Sequence, residues 1–237
     1  MRHPSDQSFQ HRQNQRSSGH GSYRDREGLS AEKALNILPS LIAGCCLLVY
    51  WGAVVRKALR FSRKEAHGVN LIPRERAGRW VRVFWIPTIA AWCVQPWLAF
   101  RRHFHHFAYD LAWTVAGFVG AVVCVGATIA TFSCWREMGR SWRLGIDPGE
   151  KTPLIFSGPF RIVRHPIYTL SILLVLGTLA TTPTLVMLLI AIVHIACLQF
   201  EVRREEIYLL GKHGRAYADY MKRVGRFLPR HLIVHNS

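Results

Sequence analysis

Two short segments carry residue types whose spacing could do chemistry. The first is Arg164-His165-Pro166-Ile167-Tyr168, which leads directly into an apolar run. Proline suits the first helical position because its missing N–H is not needed there, which makes His165 the expected cap. The free N–H groups and the positive end of that helix suit a carboxylate or phosphate. Tyr168, in the same turn, could add cation–π attraction toward a bound cation. The second segment is Glu201-Val202-Arg203-Arg204-Glu205-Glu206. At about 100° per residue, Glu201, Glu205 and Tyr208 share one broad face, whereas Glu206 is turned away from Glu205. Charge at the end of an apolar helix is costly unless paired or solvated, so the cluster marks either a polar cavity or an emerging helix end. Each segment also has a plainer reading. Arg164, His165 and Tyr168 serve equally well as membrane-boundary anchors, and the acids as a solvated helix end with internal ion pairs.

The elements that must position these segments follow from composition. Half of the 237 residues are hydrophobic, yet Lys and Arg number 31 against 14 Asp and Glu, and the mean hydropathy is still positive at +0.10. Apolar and basic residues are therefore segregated, as in membrane spans joined by basic loops. Nucleic-acid binding fits poorly, because the apolar runs are too long for a compact basic domain. Runs at residues 35–55, 80–100 and 109–135 are each long enough to cross a hydrocarbon core of about 30 Å, and each carries Trp or Tyr near an end. The run at 168–200 is too long for one ordinary span and holds Thr181-Thr182-Pro183-Thr184 near its middle. Proline breaks a helix and keeps the preceding residue out of helical angles. Two helices meeting there are expected, the first from Pro166 and the second reaching about residue 210; the alternative is one kinked span.

The expected fold class is thus an all-α membrane protein of about five transmembrane helices, the last two a hairpin, with a cytoplasm-facing cofactor pocket. Residues 1–34 read as a disordered basic tail, too polar to offset ordering entropy. Residues 35–135 hold three spans, 136–230 the chemically suggestive region, and 231–237 a short tail. Five spans put residues 56–82, 136–165 and 201–237 on one face, with 23 of the 31 Lys and Arg. The positive-inside rule makes that face cytoplasmic.

The cysteines Cys45, Cys46, Cys93, Cys124, Cys134 and Cys197 lie in or at the ends of apolar stretches and form no C-x-x-C pair. Neither a disulfide framework nor a zinc site is expected. His103, His105 and His106 sit beside Arg101 and Arg102 and read as an interfacial loop rather than as metal ligands.

Taken in order, Gly158-Pro159-Phe160-Arg161-Ile162-Val163-Arg164-His165-Pro166-Ile167-Tyr168, an apolar hairpin, Arg204-Glu205-Glu206-Ile207-Tyr208-Leu209, Tyr217, Tyr220 and Val224-Gly225-Arg226-Phe227-Leu228-Pro229 resemble the C-terminal signature of the isoprenylcysteine carboxyl methyltransferase family. Phospholipid N-methyltransferases share a looser form of it. The resemblance covers about residues 135–230 and leaves the first two spans unmatched. It implies S-adenosyl-L-methionine as cofactor, held by Thr152, Pro153, Leu154, Ile155, Phe160, His165, Pro166, Ile167, Tyr168 and Glu205. Phe160 stands where Tyr is commoner in the family, and Glu201 where the eukaryotic enzymes have a substrate-holding Arg. The resemblance passes that catalytic role to Arg203 or Arg204.

The expected function is methyl transfer to a lipophilic or lipid-linked acceptor in the membrane, a carboxylate ahead of a phospholipid amine, without nucleic acid or metal. The rivals are a sterol-reductase-like enzyme using NADPH and a non-enzymatic membrane transporter or scaffold.

Overall fold

The computed structural model describes residues 37–60, 76–101, 111–139, 142 and 153–230. The basic tail, the His103–His106 loop, Thr152 and the 231–237 tail lie outside the described residues, as do most of residues 139–152. The chain divides between Leu38 and Pro39, and apart from Ile37 and Leu38 everything that follows lies within Pro39–Ser237.

Among the described residues the fold is all-helical. The helices are α1 (Ile37–Arg60), α2 (Arg76–Arg101), α3 (Leu111–Met138), α4 (Pro166–Thr181), α5 (Leu185–His213) and α6 (Arg215–Arg223). A 3-10 turn, Gly158–Arg161, precedes α4. α1, α3 and α5 are long and apolar enough to cross a membrane, while α4 is a shorter apolar helix. α2 is as long as these but carries Arg79 and Arg82 in its first turns and Pro87 and Pro96 within.

The first five helices run alternately through one bundle, as contacts at its two ends show. At one end Ser40 of α1 donates to the Thr181 carbonyl of α4 at 2.7 Å, and Gln95 of α2 donates to Thr184 at 2.8 Å. At the other, Tyr50 of α1 meets Trp135 of α3, with ring centroids 6.0 Å apart. There Arg164, just before α4, bonds Glu206 near the end of α5 at 2.9 Å.

The break between α4 and α5 is a true hairpin turn. Thr184 caps α5, its hydroxyl accepting from the Met187 N–H at 3.0 Å, and Ser171 lies 2.9 Å from His194 across the hairpin. α3 and α4 approach closely through glycine. A Cβ on Gly120 would lie 2.6 Å from the Gly177 carbonyl oxygen, the small-residue packing that lets apolar helices gain dispersion contact. Hydroxyls of this interface bond back into their own helices, as Thr128 does to the Cys124 carbonyl and Thr178 to that of Leu174, each at 2.8 Å. Burial therefore leaves them satisfied. All six cysteines are free, with Cys124 and Cys134 buried.

Candidate functional site

The C-terminal segment is tied to the start of α4 by main chain. Val163 and Gly225 form an isolated parallel bridge; the Arg164 N–H donates to the Gly225 carbonyl at 2.8 Å and the His165 N–H to that of Arg226 at 3.2 Å. Gly225 has to be glycine, because a Cβ there would lie 1.9 Å from the Leu228 carbonyl oxygen. Gly158, with φ at +57°, opens the preceding turn in the left-handed region that favours glycine.

Arg164 and Glu206 lock this junction. Arg164 donates to Glu206 at 2.9 and 3.1 Å and to the Met221 carbonyl at 3.0 Å, and it also bonds the Val224 carbonyl. Glu206, 3% exposed, receives Arg226 as well, with Nε at 3.1 Å. A buried carboxylate is stable only when paired in this way. One acid thus joins α5, the approach to α4 and the segment after α6. Tyr220 of α6 adds a hydrogen bond to the Phe160 carbonyl. Burial pushes its phenol up to about 12, against a lowering influence from Arg164. The Tyr217 phenol is also raised, first by burial and then by Glu206 and Glu205.

A cavity opens above this junction. Pro153, Leu154, Ile155, Phe160, His165, Pro166, Ile167, Tyr168 and Glu205 all line it, so each described residue of the expected cofactor set is gathered there. His165 caps α4 without a side-chain cap bond. Its ring stacks on Tyr168 at 5.7 Å, with Nδ1 3.8 Å from Glu205. Tyr168 shares the cavity wall with Glu205, Glu201 and Arg82.

Arg203 and Arg204 do not reach the cavity wall. Glu201 and Glu205 line it, and a residue two positions from both is carried about 200° away, so Arg203 is exposed. Arg204 turns back to Glu201, bonding both carboxylate oxygens at 3.1 Å. Tyr208 likewise faces Lys212, at 3.2 Å, and Leu209 takes its place in the wall.

The opposite wall was not legible in the motifs. It comprises Tyr50, Trp51 and Val54 of α1, Arg82 and Trp85 of α2, Trp135 of α3 and Trp142. The tryptophans read as boundary anchors in the sequence; the signal for Arg82 was a lone charge inside an apolar run. His194 braces this wall from behind. Trp85 donates to its Nδ1 at 2.9 Å, which leaves Nε2 to carry the ring proton and donate to Ser171 at 2.9 Å.

Several donors in the cavity wall are left without acceptors. Among the described residues, Trp51 Nε1, Arg82 Nε, Trp135 Nε1 and the Tyr217 hydroxyl are buried without a hydrogen-bond partner, and all four residues line this cavity; His165 Nε2 lies 3.4 Å from Glu206. The indole and guanidinium groups can only donate. A ligand rich in oxygen and nitrogen acceptors would satisfy them, while Glu205 would receive a donor.

Fold and site together define an α-helical membrane protein with an aromatic, donor-rich cavity at one end of its bundle. Residues 115–219 match the family model described as phospholipid methyltransferase. The chain is also 30% identical over 126 residues to the nickel-cobalt-cadmium resistance protein NccN of Alcaligenes xylosoxydans xylosoxydans, covering 53% of this chain and 56% of that protein. It is 30% identical over 128 residues to the cobalt-zinc-cadmium resistance protein CzcN of Cupriavidus metallidurans, covering 54% and 56%. It therefore spans about half the length of these curated relatives. Among the described residues no group of three His, Cys, Asp or Glu is placed to hold a metal ion.

Proposed function

We propose that the protein transfers the methyl group of S-adenosylmethionine to the carboxylate of a lipophilic acceptor, at the cavity between the α4–α5 hairpin and the first three helices. The observation that carries this reading is the donor-rich cavity lined by the nine residues from Pro153 to Glu205 named above. S-Adenosylmethionine, when bound, supplies an electrophilic methyl carbon on a cationic sulfur, together with a carboxylate, an ammonium, ribose hydroxyls and adenine nitrogens.

The residues suit those groups. The N-terminal turn of α4 offers unpaired N–H groups to a carboxylate, and Glu205 accepts from the ammonium or a ribose hydroxyl. Tyr168 and the tryptophan faces attract a sulfonium, and the aromatic walls exclude water. A carboxylate acceptor is already ionised near pH 7, so alignment and desolvation suffice without a general base. The reading also takes α2 and α4 as crossing, five passes in all, and the cavity end as cytoplasmic, supported by the 23 basic residues allotted to that face.

A phospholipid amine is the second acceptor, favoured by the description of the matched family. The test is transfer of labelled methyl from S-adenosylmethionine, by the protein in detergent, to S-farnesyl-N-acetylcysteine and to phosphatidylethanolamine. An alkali-labile ester on the first is the expected product. Label in neither acceptor, or oxidation of NADPH instead, contradicts the proposal.

A further inference from the structure

We infer that Arg82 is the cation that receives the oxyanion of the methyl acceptor, which rests on reading the cavity as a methyl-transfer site. Arg82 stands in the first part of α2, between Val81 and Val83 and one turn before Trp85. A guanidinium in such a run is costly unless it has a polar task. The two sides of the helix make the contrast plain. Val83 and Phe84 are exposed, at 58% and 62%, as lipid-facing residues would be. Arg82 and Trp85, three apart, turn inward to the cavity with Trp92 buried on the same face.

Inside the cavity this guanidinium is not committed. Its Nε is buried without a hydrogen-bond partner, and its carbon lies 5.9 Å from the Trp85 ring centre, where the aromatic face attracts it without using its N–H donors. The acids and cations around it are already engaged. Glu201 is held by both bonds from Arg204. Glu205 lies 3.8 Å from His165 Nδ1. Arg164, the other arginine of the cavity wall, gives its donors to Glu206 and to the carbonyls of Met221 and Val224.

Position then separates the two ligands. The wall made by residues 153–168 and Glu205 lies within the matched family segment, 115–219, whereas α1 and α2 lie outside it. A cofactor common to the family belongs on the first wall, and an acceptor particular to this chain on the second. Arg82, Tyr168 and Glu205 line the same cavity on different elements, α2, α4 and α5, so an oxyanion on Arg82 would sit beside the cofactor rather than in its place. The planar fork of arginine fits a carboxylate or a phosphodiester through paired N–H bonds. The exposed apolar side of α2 offers the acceptor's hydrocarbon chain a way in from the lipid.

The test compares acid and ester without relying on turnover. The full-length protein in detergent is titrated with S-farnesyl-N-acetylcysteine and with its methyl ester, and separately with short-chain phosphatidylethanolamine and the matching diacylglycerol. The parent should bind one oxyanion-bearing member, the carboxylate or the phosphodiester, about ten- to a hundredfold more tightly than the counterpart that lacks that group. Preference for the acid identifies a carboxylate acceptor, and preference for the phospholipid a phosphate-bearing one. Arg82→Gln should abolish the preference, Arg82→Lys should keep part of it, and both should bind S-adenosylmethionine within about twofold of the parent. A parent without preference, a preference that survives Arg82→Gln in a variant of parental size-exclusion profile, or a loss confined to S-adenosylmethionine affinity would each overturn the inference. Acid–ester discrimination that depends on Arg82 in a protein that binds no S-adenosylmethionine would keep the anion site and discard the methyl-transfer reading.

Discussion

Glu205 and Glu206 are neighbours in sequence with different work to do, and this difference yields two predictions at the scale of residues. Glu205 lines the cavity, so Glu205→Gln should weaken S-adenosylmethionine binding by about 1–3 kcal/mol, or five- to over a hundredfold, with thermal stability nearly unchanged. Glu206 sits behind the wall as the shared partner of Arg164 and Arg226. Removing one member of a buried ion-pair network costs about 3–5 kcal/mol, so Glu206→Gln should lower the melting temperature and leave Arg164 uncompensated. Calorimetry and thermal melting on both variants separate the roles; equal losses of stability would contradict this division. The helical phase of the acids was legible in the sequence. The partners of Glu206 were not, since Arg164 and Arg226 lie 42 and 20 residues away and only the folded junction brings them together. Tyr220 adds a dependence on pH. Its folded-state value of about 12 stands above the ordinary 10, so the unfolded chain loses the proton first and stability falls as pH rises from 10 to about 12. Alkaline unfolding should be shallower in Tyr220→Phe over that window, although the variant starts less stable for want of the bond to Phe160.

At the scale of elements, the parallel bridge between Val163 and Gly225 is the join on which the site depends. A methyl group at residue 225 would strike the Leu228 carbonyl. Gly225→Ala should therefore destabilise the protein by about 1–3 kcal/mol and weaken cofactor binding more than a surface substitution does, because the His165 N–H would lose its carbonyl partner in the same displacement. Parental melting and binding in that variant would show that the segment docks by other means. The hairpin was legible because Pro183 and its flanking threonines interrupt an apolar run of hairpin length. Its consequence, the return of α5 beside the start of α4, followed from topology. What stayed illegible was the far wall. Tryptophans at helix ends carry the same signature whether they face lipid headgroups or a cavity, and only packing distinguishes Trp85, bonded to His194, from Trp80, which is 65% exposed.

For the whole molecule, the account requires five passes with the cavity end in the cytoplasm, where S-adenosylmethionine is made. Cysteine labelling from each side should find residues 201–237 inside and 1–34 outside; both on one side would sink the five-pass arrangement. A variant lacking all six cysteines should fold and keep methyltransferase activity, because the side chains serve as small packing groups within apolar helices. Loss of activity in a folded variant would give one of them a chemical role. The central claim, that the cavity between the hairpin and the first three helices holds S-adenosylmethionine, is tested most directly by isothermal titration of the detergent-purified protein with that cofactor and with NADPH. The account predicts saturable binding of S-adenosylmethionine at one site, weakened in Glu205→Gln, and none of NADPH; absence of S-adenosylmethionine binding in the folded parent, or binding of NADPH in its stead, would contradict it.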